Sequence, residues 1–420
     1  MQQTVLIKSF YPIISEERIE ALDALRGLAI FGILIANIQF FSGNVLMPSA
    51  LAQQSATVDQ ITQFLIYFFV KGKFYSIFSF LFGFGFALQI ARAEEQGDIK
   101  ASFFKRRLFW LLLIGLLHAY LLWAGDILSI YAVTGFFLIL FRNKPDRSLL
   151  KWAFALLAIP ILSYALVYIL SISFTAPEAA ASPDVERQTA EWNGLVGVIS
   201  QGSFRQILEF NVSGFIPLRY IGLLYEMRLP KILGMFLLGF YAYRRGYFHD
   251  ISSHQAFIRR VMLWGLVLGI IGNAMLATLI WMGAFSPPSI LGIVATVAYA
   301  FGVPSLALFY VAVTVMLWQK ATWRRVLMYL VPVGRMALTN YLLQTLICVF
   351  IFYGYGAGLF GKVGVTAATI VAFAIFLLQI PISALWLKHF SYGPMEWIWR
   401  QLTYRQRLAL RPHRRRMEVI

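Results

Sequence analysis

A single cysteine in 420 residues, Cys348, excludes an intrachain disulfide framework. It lies inside an apolar run, where a buried inert thiol is the plain reading. Charge is also scarce. Asp, Glu, Lys and Arg make up 13% of the chain against 60% hydrophobic residues, too little to cover a soluble protein of this size. Acids are the scarcer sign, 19 against 36 Lys and Arg. There is no soluble-domain stretch, heptad run or low-complexity tract. Phosphate-binding loops of the GxxxxGK type, G-x-S-x-G elbows and His/Cys/Asp/Glu clusters at metal-ligating spacing are absent, so no metal is expected. Gly83-Phe84-Gly85 stands alone and reads as packing glycine, not as a dinucleotide site.

What the chain does have is apolar runs near the bilayer-spanning length, from end to end. Backbone in hydrocarbon must satisfy its own hydrogen bonds, and runs of this length do so as helices. The expected fold is an all-α polytopic membrane bundle of about ten spans, at 27–43, 73–91, 108–124, 127–141, 152–173, 231–247, 261–283, 289–317, 336–354 and 365–387. Segments up to Arg26, 92–107, 142–151, 244–260, 320–335 and 388–420 hold 28 of the 36 Lys and Arg. By the positive-inside rule these face the cytoplasm, with both termini. The net charge of +17 is then a topology signal whose partner is the bilayer, not nucleic acid. The organisation is a cytoplasmic segment 1–26, one membrane domain 27–387 and a basic tail 388–420, with Arg411 to Arg416 as a juxtamembrane cluster. The leader is long and carries Glu16, Glu17, Glu20 and Asp23, so the first span reads as a retained anchor despite Ala50-Leu51-Ala52.

Between the spans, residues 61–70 read as an interfacial or re-entrant helix leaning on the second span. Trp123-Ala124-Gly125-Asp126 makes a tight hairpin, with Gly125 as helix stop and Asp126 as the next N-cap. Phe174 to Pro230 reads as a short polar loop, then helices on or dipping into the outer face. Pro304 is placed to kink the eighth span.

Polar residues within the spans are the functional candidates, because charge and amide groups are costly there. Asn37 lies 11 residues past Arg26 and His118 11 past Arg107, each about 16 Å above its charged edge. Gln344 lies slightly nearer its own edge and shares a face with Asn340. His118 is the only histidine within a span. It is a general base with Asp126 or Glu226 as carboxylate partner, or a neutral histidine satisfied by a neighbouring helix. Asp126 has N-capping as its second reading, and Glu226 a local ion pair with Arg228. Asn37, Asn340 and Gln344 either line a path or hold helices together. Asp23 and Arg26, at the mouth of the first helix, read as a first-turn acid and a topology-setting base, and Arg26 with Lys105, Arg106, Arg107 and Arg335 could also receive donor phosphates.

Four stretches carry a resemblance that covers the whole chain. They are Leu22-Asp23-Ala24-Leu25-Arg26-Gly27, Gly115 to His118 with Leu122 to Leu128, Gly334-Arg335 through Asn340 to Gln344, and Tyr392 through Glu396 and Trp397 to Tyr404. Together they resemble the YeiB-like family of bacterial inner-membrane proteins, whose domain is of unknown function. The first stretch also resembles the opening of the broader transmembrane acyltransferases. That resemblance implies an acyl-CoA donor reached from the cytoplasm and an envelope-glycan or small-molecule acceptor on the outer side. Many of those bacterial enzymes place a catalytic histidine eleven residues after the arginine. This chain has Asn37 there, and residues 38–60 contain no histidine, so His118 would have to take that role. The functional expectation is acyl transfer, with Asp23, Arg26, Arg106, Arg107 and Arg335 at the donor, His118 and Asp126 at the chemistry, and Asn37, Asn340, Gln344 and Glu226 along the path. The alternative is a transporter or exporter, in which the same polar belt carries substrate or protons.

Overall fold

A computed structural model describes residues 19–95, 102–174, 185–285 and 287–411. The N-terminal leader, the polar loop around Pro177 and Pro183, and the basic cluster beyond Arg411 lie outside these residues. The helices in chain order are α1 (Glu20–Phe41), α2 (Ser49–Gln53), α3 (Thr57–Phe69), α4 (Lys73–Glu95), α5 (Ser102–Leu121) and α6 (Leu128–Leu138). Then come α7 (Asp146–Phe174), α8 (Val185–Gln201), α9 (Phe204–Phe210), α10 (Ile216–Tyr225), α11 (Arg228–Arg244) and α12 (Gln255–Trp281). The last are α13 (Ile290–Trp318), α14 (Ala321–Leu327), α15 (Val331–Arg335), α16 (Ala337–Phe352), α17 (Val365–His389) and α18 (Pro394–Tyr404). No strand occurs among the described residues.

A helix stands at each of the ten expected span positions. Seven segments are long and apolar enough to cross a membrane, or eight if the bent pair of 321–335 and 337–352 is one span. The seven include Phe204–Tyr225, expected only on or dipping into the outer face. Helices α5, α6 and α11 are shorter or more polar than a free-standing span, which is why the count falls below ten. Helix α3 leans on α12 and α17 rather than on α4. Asp59 on α3 accepts a hydrogen bond from Thr366 N at 2.7 Å, tying its start to the first turn of α17.

Contacts fix which ends lie together. Trp399 on α18 donates from its indole to Arg107 O at the start of α5, at 3.0 Å. Arg244, ending α11, reaches the carbonyls of Arg142 and Lys144 after α6. The starts of α1, α5 and α16, the turn after α6 and the end of α11 therefore form one basic end of the bundle. The α5–α6 tip and the start of α11 lie at the other.

The four sequence stretches meet on α15 and α16. Helices α15 and α16 are bent by 77° at Met336. Helix α15 lies on the first turns of α1 through two glycines. A Cβ on Gly334 would sit 1.8 Å from Asp23 O, and one on Gly27 2.3 Å from Leu330 O. Only glycine allows backbones this close. Met336 cannot cap α16, and Glu396 of α18 does so from outside. Its Oε1 accepts from Leu338 N at 2.7 Å and Thr339 N at 3.1 Å, while Oε2 accepts from the Thr339 hydroxyl. The carboxylate thus meets the positive end of a helix that has no cap of its own.

Burial raises the Glu396 carboxyl above the ordinary carboxylate range, although these hydrogen bonds pull the other way. The folded protein then holds a proton that the unfolded chain has lost. Stability therefore falls as pH rises from the ordinary carboxylate pKa through the raised value, and is flat on either side. Glu396→Gln keeps an acceptor for α16 and should flatten that slope. Thermal unfolding in detergent, followed by a thiol-reactive dye on buried Cys348, measures it. An unchanged slope in the variant would assign the effect to another group.

Candidate functional site

His118 lies near the end of α5 and is 2% exposed. Its Nδ1 is 3.0 Å from Asp126 Oδ1, and its Nε2 is 2.9 Å from Thr345 Oγ1 on α16. Asp126 is fully buried in the hairpin tip. Its Oδ1 also accepts from Leu128 N at 3.0 Å, and its Oδ2 from Ser129 N at 2.7 Å and the Ser129 hydroxyl at 2.6 Å. Asp126 therefore caps α6 and touches the imidazole at once. Helix α5 ends at Leu121, so Gly125 belongs to the tip and is not the helix stop.

The hydrogen-bond pattern orders the imidazole. A carboxylate that accepts from two backbone N–H groups and a hydroxyl presents an acceptor to Nδ1, which places a proton there. Nε2 then faces the Thr345 hydroxyl, which has a second acceptor in Tyr341 O at 3.4 Å. Asp126, His118 and Thr345 form a carboxylate–imidazole–hydroxyl line, the geometry that moves a proton to or from a hydroxyl. The Tyr341 ring lies 5.2 Å from the imidazole, and its hydroxyl accepts from Ile127 N at 3.3 Å.

The neighbouring face of α16 holds Asn340 and Gln344, side by side as their spacing requires. They turn to α17. Gln344 Nε2 donates to Gln379 Oε1 at 2.8 Å, and Gln379 Nε2 donates to Asn340 O at 3.0 Å. Asn340 Nδ2 donates to Val333 O and to the Ser383 hydroxyl. This is a satisfied polar joint, with each such bond contributing roughly 0.6 kcal/mol in a membrane. The structure does not join it to His118. Asn37 is half-buried and makes no side-chain hydrogen bond among the described residues. Besides Asp23, the buried polar side chain of α1 is Gln39, bonded to Thr369 and Asn44. Glu226 pairs with Arg228 at 2.6 Å and is not a partner of His118.

At the basic end, Asp23 pairs with Arg26 on one turn of α1. Asp23 is also where Gly334 packs, which brings Arg335 to the same crossing. Arg335 Nε is buried without a hydrogen-bond acceptor among the described residues. Arg106 Nε donates to Thr403 O on α18. Arg107 lies over the Trp399 ring at 3.7 Å, where repulsion from Arg400 and Arg26 reaches it. Five of the residues expected at a donor site thus share one end of the bundle.

Four contributors escape a reading of the sequence. Thr345 and Tyr341 are ordinary residues of an apolar helix until α16 meets the hairpin. Glu396 is a lone acid in an aromatic stretch. Arg219 on α10 carries its charge toward Asp126 and Tyr341, with Nη2 buried and unbonded among the described residues. A base inside the apolar run from Phe204 to Tyr225 was the available signal. Among the described residues no group of three or more His, Cys, Asp or Glu could hold a metal ion.

The comparisons with known proteins reach the whole chain but no established activity. Residues 242–406 match the family described as "Protein of unknown function (DUF418)". That segment includes α15, α16 and Glu396 but not the His118–Asp126 hairpin. The chain is 30% identical to the uncharacterized protein YeiB of Escherichia coli, over 93% of this chain and 97% of the relative. It is 29% identical to an uncharacterized 39.9 kDa protein of Bacillus acidopullulyticus, over 95% and 97%. No solved structure matches it. At 36% identity to the uncharacterized protein YxaH of Bacillus subtilis, over 95% of this chain and 97% of the relative, the chain belongs to the YeiB-like family whose domain has no known function.

Proposed function

We propose that the protein is an acyltransferase of the bacterial inner membrane, moving an acyl group from cytoplasmic acyl-CoA to a hydroxyl or amine acceptor delivered from the other side. The observation that carries this reading is the Asp126–His118–Thr345 line, with a hydroxyl already seated 2.9 Å from His118 Nε2. The Thr345 hydroxyl marks where an acceptor hydroxyl would lie. It can release Nε2 because Tyr341 O offers it another acceptor. Nε2 takes the acceptor proton as the acceptor atom attacks the thioester carbonyl. The carbon–sulfur bond breaks, and the imidazolium returns the proton to the departing thiolate. Asp126 holds the proton on Nδ1 and stabilises the imidazolium.

Arg26, Arg106, Arg107 and Arg335 would hold the donor phosphates, with Asp23 orienting Arg26. Arg219 would steer an acceptor toward Asp126 and His118. In this reading Asn340 and Gln344 belong to the joint with α17, and Glu226 to a separate charge cluster. The test is acyl-CoA consumption by purified protein in nanodiscs, read as thiol release in the presence of candidate acceptors. His118→Ala should abolish it. Turnover like wild type in that variant would sink the assignment.

Transport is the second reading, favoured by the 77° break between α15 and α16, since broken helices build substrate sites in transporters. Uptake into proteoliposomes with no acyl donor present would favour it over acyl transfer.

A further inference from the structure

Eight Lys and Arg of the sequence lie outside the basic segments, and four of them, Lys71, Lys73, Arg228 and Lys231, gather where α3 turns into α4 and α11 begins. By helical rise, Lys231 is about 20 Å from the basic end, where Arg244 lies. Lys73 is fully buried, and its ammonium is spent on carbonyls: Nζ donates to Tyr67 O at 2.7 Å and Lys71 O at 3.0 Å, closing the end of α3. The other three are not matched in this way. One carboxylate, Glu226, faces them, and Arg228 holds it. Lys71 donates to the Tyr67 hydroxyl and lies over that ring.

Lys231 is the decisive residue. It is 7% exposed, and its Nζ has no hydrogen-bond acceptor among the described residues. Its one side-chain contact of note is with the Tyr299 ring, 4.2 Å from Nζ to the centroid. Lys231 lines a small cavity with Tyr75, Ser76, Tyr299, Val303 and Pro304, where the Tyr75 and Tyr299 hydroxyls bond each other. The space holds about one water-sized group. Lys231 lines the cavity with a ring face beside its Nζ and no acceptor oxygen bonded to it among the described residues, so an acceptor in the cavity would meet a free donor. Lys71, Arg228 and Lys231 thus converge on a single carboxylate, Glu226.

We propose that this cluster is a binding site for a phosphate oxyanion, one oxygen of which enters the cavity and accepts a hydrogen bond from Lys231 Nζ. Arg228 and Lys71 supply the surrounding positive field. The ligand's remaining oxygens, and whatever group the phosphate carries, lie outside the cavity toward Lys71 and Arg228. The site is separate from the His118 line and does not depend on acyl transfer.

The test uses purified full-length protein and native mass spectrometry, with two probes: inorganic phosphate and phosphatidylglycerol, against phosphatidylcholine as control. Saturable binding of phosphatidylglycerol that phosphate does not displace identifies a lipid headgroup. Binding of phosphate alone identifies a free anion. Lys231→Met removes the donor at similar volume and should weaken binding about tenfold or more, the scale of a charge-assisted hydrogen bond. Glu226→Gln removes the competing carboxylate and should tighten it. A loss of fold cannot mimic a gain in affinity, so the second variant stands even where the first fails to fold. No saturable binding of either probe to wild type, wild-type affinity in folded Lys231→Met, or no gain in Glu226→Gln would each overturn the site.

Discussion

Asp126→Asn is expected to leave the protein folded and to slow the proposed acyl transfer at least about a hundredfold, the range general-base catalysis contributes. Both oxygens of Asp126 accept from backbone N–H groups, Leu128 N at one and Ser129 N at the other. An asparagine must point its NH2 at one of them. Turned toward Leu128, it also faces His118 Nδ1, drives the ring to the other tautomer and leaves Nε2 protonated and unable to accept. Turned toward Ser129, it loses the cap on α6 and keeps a neutral partner for the imidazole, which no longer stabilises the imidazolium. Either way the loss in stability is about 1–2 kcal/mol, the scale of a lost cap. Asp126→Ala also strips His118 of its buried partner and should cost about 3 kcal/mol or more. Rates of thiol release and melting curves of the two variants separate the effects. Unimpaired turnover in folded Asp126→Asn would show that the line is a structural brace and not the proton path.

Helices were legible because each apolar run is long enough to declare itself, and the His118–Asp126 pair was legible because eight residues and a tight hairpin bring them back together. Asn340 and Gln344 share a face, since their spacing fixes it. Spacing does not fix what that face meets, and it meets Gln379 and Ser383 of α17 rather than His118. Thr345 lies one residue further on, on the face that meets the hairpin, and nothing in an apolar run distinguishes it. Asn37 is a polar residue within a span, eleven residues past Arg26, yet the structure gives it no hydrogen-bonded role among the described residues. Arg228 and Glu226 were legible as a local pair because two residues separate them. Their convergence with Lys71 and Lys231 needed the side-by-side packing of α4 and α11, which is tertiary information.

Gly334→Ala is expected to be among the most destabilising single-methyl changes in the chain. The added Cβ would meet Asp23 O at 1.8 Å and Gly27 N at 2.8 Å, both backbone atoms that no rotamer change can move. Helix α15 must then back away from α1, at a cost of about 3 kcal/mol, the upper part of the overpacking range. The strain does not stay local. Arg335 follows Gly334 directly, and the break at Met336 sets the direction of α16, so a shift of α15 is passed toward the Glu396 cap and Thr345. Affinity of the proposed donor site for acyl-CoA should fall with stability, because Arg26 and Arg335 lie on the two faces being pushed apart. Gly27→Ala meets Leu330 O at 2.3 Å and separates the same pair, so the double variant should cost clearly less than the sum of the two. Dye reactivity of Cys348 against temperature gives the three values. A melting point within about a degree of wild type for Gly334→Ala, well under what about 3 kcal/mol produces in a chain of this size, would mean that α1 and α15 do not cross at these glycines.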